Sequence, residues 1–225
     1  MSLFIKFTID DKVCMAEEGT YLVQAAKEND IYIPTLCNYP GIPPKGSCRI
    51  CTVHVNGRAV TACTTKVSED MDVVSQSPEL ENFRKSVISI LFAEGNHLCP
   101  SCEKSGNCEL QALAYRYRIL APDFPYMFPK RPVDAWHEKI LKDHNRCILC
   151  KRCIRGITNE KGRSIFAFGK RGDKLLINID TETSKDISDE TVRKAMDICP
   201  VGAIIQKGRG FKVPIGKRKF GARIR

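Results

Sequence analysis

Residues 3–9 alternate apolar and polar positions, with Leu3, Ile5, Phe7 and Ile9 on one side, which is the period of a half-buried strand. Asp10-Asp11 predicts a turn into a second strand at about 12–16. A short helix comes next, with Thr20 as its cap, Leu22, Val23, Ala25 and Ala26 as its inner face and Asn29-Asp30 at its end. The run NYPGIPPKGSC is too rich in Pro and Gly for a regular element and predicts a loop. Beyond it, Asn56-Gly57 turns a hairpin of Thr52–Val55 and 59–63. The period then changes: Leu80, Phe83, Val87, Ile90 and Leu91 recur at helical spacing over 78–93, with Pro78 at the start and Gly95 past the end. A second helix spans 108–120. Pro122, Pro125, Pro129 and Pro132 forbid regular structure and predict a linker or a strap over the surface. Strands near 164–168 and 174–179 and a helix at about 188–198, capped by Ser188, complete an α+β chain.

Cysteine changes this picture from small packed domains to metal-stapled ones. Eleven of the twelve cysteines among 225 residues fall into three groups: Cys37, Cys48, Cys51 and Cys63; Cys99, Cys102 and Cys108; and Cys147, Cys150, Cys153 and Cys199, the last followed by Pro200. The first group puts three thiolates in one loop and the fourth a hairpin away, an arrangement that can wrap a two-iron cluster. In the third, a close triplet and a distant Cys-Pro have the spacing of one four-iron cluster, whereas zinc normally takes two separated pairs. The middle group supplies three thiolates where a cubane needs four ligands. His97, two residues before Cys99, is the leading fourth; an open or water-bound iron and Cys14 are the alternatives. Cys14 is otherwise a small apolar core residue, His54 faces solvent, and His137 and His144 serve packing or support rather than ligation. Arg146, Lys151, Arg152 and Arg155 surround the third group and either tune its cluster, meet an acidic partner or form a solvated basic helix end.

The formal charge is +10, and residues 207–225 hold eight basic and no acidic side chains. Nucleic-acid binding and subunit docking both fit such a tail. Its glycines and Pro214 favour an extended segment laid over another subunit, with only Phe211 and Phe220 able to stack on bases. The first residues, MSLFIKFTIDDKV, lack the basic, apolar and small-residue regions of a secretory leader, so a cytoplasmic, reducing setting is expected. No apolar run spans a bilayer. No G-x-G-x-x-G follows a strand, so the chain is expected to bind neither NAD nor flavin itself, and no catalytic residue of its own is expected.

The first four cysteines, GNHLCPSCEKSGNCELQ (95–111), RCILCKRC (146–153) and CPVGAI (199–204) together resemble the N-terminal iron–sulfur region of the large peripheral-arm subunit of respiratory complex I. A free-standing chain of this length is most similar to the diaphorase small, or gamma, subunits of soluble NAD-reducing nickel–iron hydrogenases. That resemblance implies a plant-type-ferredoxin-like β-grasp domain at 1–77 with one [2Fe-2S] cluster, and a helical domain at 78–120 in which His97, Cys99, Cys102 and Cys108 hold a [4Fe-4S] cluster. A Pro-rich linker at 121–137, a bacterial-ferredoxin-like domain at 138–206 with a second [4Fe-4S] cluster and a basic tail at 207–225 complete it. The implied role is electron relay between a flavin/NAD(H) diaphorase subunit and a hydrogenase small subunit, and through it a nickel–iron large subunit, with no nucleic acid and no membrane insertion. The alternative is the equivalent relay of an NAD-dependent formate dehydrogenase or a complex I-like NADH dehydrogenase.

Overall fold

The computed structural model describes residues 3–208 and 213–221. The chain divides into two compact units, Met1–Asn38 with Pro43–Val87, and Tyr39–Ile42 with Ile88–Arg225. It is α+β throughout.

In the first unit, β1 (Phe4–Ile9) and β2 (Lys12–Glu17) form the expected hairpin, and Asp10 and Asp11 both take positive φ, 48° and 64°, as a two-residue turn of matching twist requires. Register pairs Ile5 with Ala16 and Phe7 with Cys14, so one face of the ribbon is apolar. Helix α1 (Leu22–Glu28) packs there through Leu22, Ala25 and Ala26. Thr20 does not cap it. Tyr21 occupies the cap position with no side-chain hydrogen bond, and the Leu22 and Val23 N–H groups are taken instead by the carbonyls of Thr65 and Ala62. A loop distant in sequence has replaced the local cap.

The hairpin of β3 (Thr52–Val55) and β4 (Arg58–Thr61) turns on Asn56 and Gly57, both at positive φ. β5 (Asp72–Val74) pairs parallel with β1 and antiparallel with β3, giving the order β2-β1-β5-β3-β4. Three residues carry too little alternation to announce this strand, yet it closes the sheet over a core of Ile5, Phe7, Ile9, Cys14, Val53 and Val73. Cys14 is 1% exposed there, its thiol donating to the Lys12 carbonyl at 3.5 Å. His54 is half-buried on β3. Helix α2 (Pro78–Glu94) fills the range expected of it.

The second unit contains α3 (Glu109–Arg116), β6 (Val133–Asp134), β7 (Ile140–Asp143), α4 (Arg152–Gly156), β8 (Phe166–Gly169), β9 (Leu176–Ile179), α5 (Asp189–Ile198) and β10 (Ile204–Gln206). α3 stops short of Leu120 because Tyr117 leaves the helix and Arg118 turns to φ 55°. β8 pairs with β9, and α5 is capped by Ser188, whose hydroxyl accepts from the Thr191 N–H. The sheet β10-β7-β6 joins the end of the chain to residues around 140, a pairing whose partners lie more than 60 residues apart. Residues 121–132 hold neither helix nor strand. No helix among the described residues is long and apolar enough to cross a membrane.

Candidate iron–sulfur centres

The first group converges in the loop before β3 and just after β4. Cys37, Cys51 and Cys63 are each 1% exposed, and their sulfurs share hydrogen bonds. Cys48 and Cys63 donate to Cys37, which holds the Cys37 thiol well below its ordinary range, and the same bonds push Cys48 and Cys63 up. Three buried sulfurs and the half-buried one of Cys48, close enough to share hydrogen bonds, cannot all be thiolates unless a cation sits among them, so the donor set fits a metal cluster. Arg49, between Cys48 and Cys51, takes φ 63°, and Gly46 takes 64°. Such left-handed residues turn successive N–H groups to one side, where they favour an anion. The glycine was legible as a loop former; the arginine gave no sign.

Arg84 of α2 is missing from any reading of α2 as plain scaffold. It is 2% exposed, and it donates to the carbonyls of Ile50 at 3.3 Å, Thr52 at 2.9 Å and Ser75 at 2.9 Å. It thereby ties the cysteine loop to the sheet.

In the middle group, Cys102 and Cys108 are buried and Cys99 half-buried. Burial pushes the Cys108 thiol up to about 12, against the Gln111 N–H that donates to its sulfur at 3.4 Å. His97 keeps its imidazole neutral, its pKa lowered to about 4 chiefly by burial. It bonds the Leu91 carbonyl, while Nε2 is buried with no hydrogen-bond partner. The bond is therefore made by Nδ1, and Nε2 is left with a bare lone pair, the state of a metal-binding histidine. Arg146 neighbours both parts of the group: its charge acts on His97 and Cys99, and its Nη1 lies 3.7 Å from Cys102 Sγ.

The third group lines one cavity. Cys147, Cys150, Cys153 and Cys199 share it with Lys142, Ile148, Ile177, Val201, Ala203 and Ile204, around about 290 Å³ of atom-free space including its mouth. Four thiols converging on one apolar-walled cavity, three of them from one tight turn, are the donor set of a four-iron group. Leu149 and Lys151 alternate with the cysteines at φ 51° and 62°, repeating the N–H arrangement of the first loop. Burial pushes Cys153 up to about 12 and Cys150 well above its ordinary value, with Cys199 adding to both. No three or more His, Cys, Asp or Glu side chains among the described residues form a single-ion site. Ligands of a cluster bind different irons and have no need to meet at one point.

The middle and third groups adjoin. A Cβ on Gly202, in the turn after Cys199-Pro200, would stand 2.3 Å from Cys102 Sγ, and the Glu109 N–H donates to the Pro200 carbonyl at 2.8 Å. Arg152 is not part of a solvated helix end. It is 1% exposed and gripped by Glu109. Arg155 donates to the carbonyls of Lys151 and Cys150, and the Lys151 ammonium stands 5.9 Å from the centroid of the Phe168 ring. His137 is buried, its Nδ1 accepting from the Lys139 and Ile140 N–H groups. His144 is 2% exposed with Nδ1 unpartnered.

The basic tail is not simply an arm for another subunit. Arg218 is 6% exposed, donating to the carbonyls of Glu103 at 2.8 Å and Ser105 at 2.6 Å, and the Phe220 N–H reaches the Gly106 carbonyl at 2.9 Å. Residues 213–221 fold back on the Cys102–Cys108 loop because Gly106, at φ 79°, leaves room for the Arg218 stem. Gly210, Phe211 and residues 222–225 lie outside the described residues.

Residues 4–78 match the family described as 2Fe-2S iron-sulfur cluster binding domain, 84–122 the NADH-ubiquinone oxidoreductase-G iron-sulfur binding region, and 138–205 the ferredoxin-like domain of NADH-quinone oxidoreductase subunit 3. The chain is 32% identical over 92% of its length to the mitochondrial 78 kDa subunit of NADH-ubiquinone oxidoreductase from Neurospora crassa, of which it spans 28%. Fold and cysteine pattern thus define an iron–sulfur protein with both 2Fe-2S and 4Fe-4S binding domains. The gamma subunit of the NAD-reducing hydrogenase HoxS from Cupriavidus necator is 48% identical over 96% of this chain and 93% of its own. A chain in the crystal structure of NAD+-reducing [NiFe]-hydrogenase in the H2-reduced state superposes with a TM-score of 0.89 at 38% identity, covering 97% of this chain and 94% of that one. The chain belongs to the family of NAD-reducing hydrogenase gamma subunits.

Proposed function

We propose that this chain relays single electrons between a flavin/NAD(H) diaphorase subunit and the small subunit of a nickel–iron hydrogenase, through which it serves the nickel–iron large subunit, in either direction. The observation that carries the reading is the match along almost the whole of both chains to the HoxS gamma subunit. Cys37, Cys48, Cys51 and Cys63 would hold one [2Fe-2S] cluster. His97, Cys99, Cys102 and Cys108 would hold one [4Fe-4S] cluster, and Cys147, Cys150, Cys153 and Cys199 a second. When bound, these clusters supply reversible one-electron carriers.

The residues contribute placement and charge. Gly202 lets Cys102 approach the turn after Cys199, which supports a short hop between the two four-iron sites. Arg146 at Cys102 and the left-handed residues Arg49, Leu149 and Lys151 favour the more negative, reduced state. The layout 1–77, 78–120, 121–137, 138–206 and 207–225 and a cytoplasmic, thiol-preserving setting belong to the same reading.

The test is to purify the native complex through a tag on this chain without oxygen. Hydrogen should reduce NAD+ there, iron should exceed about ten per copy of this chain because the nickel–iron partner adds its own, and Cys99→Ser should keep the complex while stopping electron flow. Reduction by formate but not by hydrogen would make the hydrogenase partner wrong.

A further inference from the structure

We propose that Lys142, on β7, is a positioning and tuning residue of the third iron–sulfur centre, presenting its ammonium to the anionic cluster and raising its reduction potential. The proposal rests on the ligand reading above. Lys142 is 1% exposed, lines the cavity of Cys147, Cys150, Cys153 and Cys199, and its Nζ has no hydrogen-bond partner. Strand alternation puts it on the same face as Ile140, a position that an apolar residue would fill without electrostatic cost.

The acidic residues beside it are engaged elsewhere. Asp143, next in the chain, pairs with Arg146 at 3.0 Å and accepts from the Asn145 N–H at 2.9 Å. Asp134, opposite Lys142 in the β6–β7 register, accepts from the Trp136 N–H. The rest of the cavity wall is Ile148, Ile177, Val201, Ala203, Ile204 and the four sulfurs. A buried ammonium with no counter-charge is strongly disfavoured, and among the residues lining this cavity only the thiolates and what they hold can provide one. The Lys142 charge already acts on Cys153, lowering its thiol pKa against the larger upward effects of burial and Cys199.

One electron arriving at this centre adds one negative charge; no bond is made or broken and no proton moves. Lys142 attracts the reduced state more than the oxidised one. The electron comes from, and returns to, the neighbouring carriers of the complex.

The experiment is a redox titration of the intact complex followed by electron paramagnetic resonance, on the signal that Cys150→Ser abolishes. At the potential where the unsubstituted protein is half reduced, Lys142→Met should lower the ratio of reduced to oxidised centre at least tenfold, equivalent to 59 mV for one electron, and Lys142→Arg should stay within threefold of the original. An unchanged ratio in Lys142→Met, or equal shifts in both variants, overturns the proposal. If Lys142→Met does not assemble, the unsubstituted complex carrying lysine labelled with 15N at the side-chain amine alone decides: 15N modulation on the same signal supports contact, and its absence overturns it. If Cys150→Ser abolishes no signal because the site holds no cluster, the ligand reading falls first and the role of Lys142 with it.

Discussion

Arg152 grips the carboxylate of Glu109 with both terminal nitrogens, Nη1 to Oε1 and Nη2 to Oε2, each at 2.7 Å. Arg152 precedes Cys153 and Glu109 follows Cys108, so one bidentate ion pair braces two cysteine groups. The Arg152 Nη1 also donates to the Ile198 carbonyl, just before Cys199. Removing one partner of a buried pair strands the other charge and costs about 3–5 kcal/mol. Glu109→Ala should therefore lower thermal stability by that order and release iron from both four-iron sites, while the two-iron signal persists. The double variant Glu109→Leu, Arg152→Met should recover much of the stability. Equal iron retention in Glu109→Ala and the unsubstituted chain would falsify the brace.

Gly202→Ala places a Cβ where Cys102 Sγ now lies, 2.3 Å away, and 3.3 Å from Lys104 Cβ. Backbone and ligand loop both have to move. Reconstituted Gly202→Ala should hold the two-iron centre and lose the middle four-iron signal. Quantifying both by spin integration checks this, and full occupancy of the middle centre would show that the turn yields.

His97 carries the bare Nε2 described above. His97→Ala should abolish or transform the middle centre and spare the other two. His97→Cys should rebuild it with an added thiolate charge and a lower potential. A middle signal unaltered in His97→Ala would return the fourth coordination site to solvent or another side chain.

Acid should destabilise the protein through His144. Burial first, then the Lys142 charge, lowers its pKa from 6.5 to about 4. In the unfolded chain the imidazole takes up its proton first, so the unfolded state binds more protons across this window and stability falls as pH drops from about 6.5 to 4. The stabilisation is intact above 6.5. Urea midpoints between pH 7 and 4 should decline less steeply in His144→Leu than in the unsubstituted chain, and parallel declines would remove His144 from the account.

The sequence by itself determined the chemistry and most elements. Cysteine triplets such as Cys147, Cys150 and Cys153, the alternation of β1, the Asn56-Gly57 turn and the Ser188 cap are local signals, written within a few residues and read at that range. What only the tertiary structure decided are features whose partners lie far apart in the chain. β5 is a strand because β1 and β3 flank it, and the α1 cap passes to the Thr65 and Ala62 carbonyls. Arg84, Arg152 and Arg218 look like surface charges until carbonyls and a carboxylate tens of residues away enclose them. Lys142 is the extreme case. In sequence it is one lysine among many, and only the cavity that folding builds around it turns its charge toward the third group of cysteines.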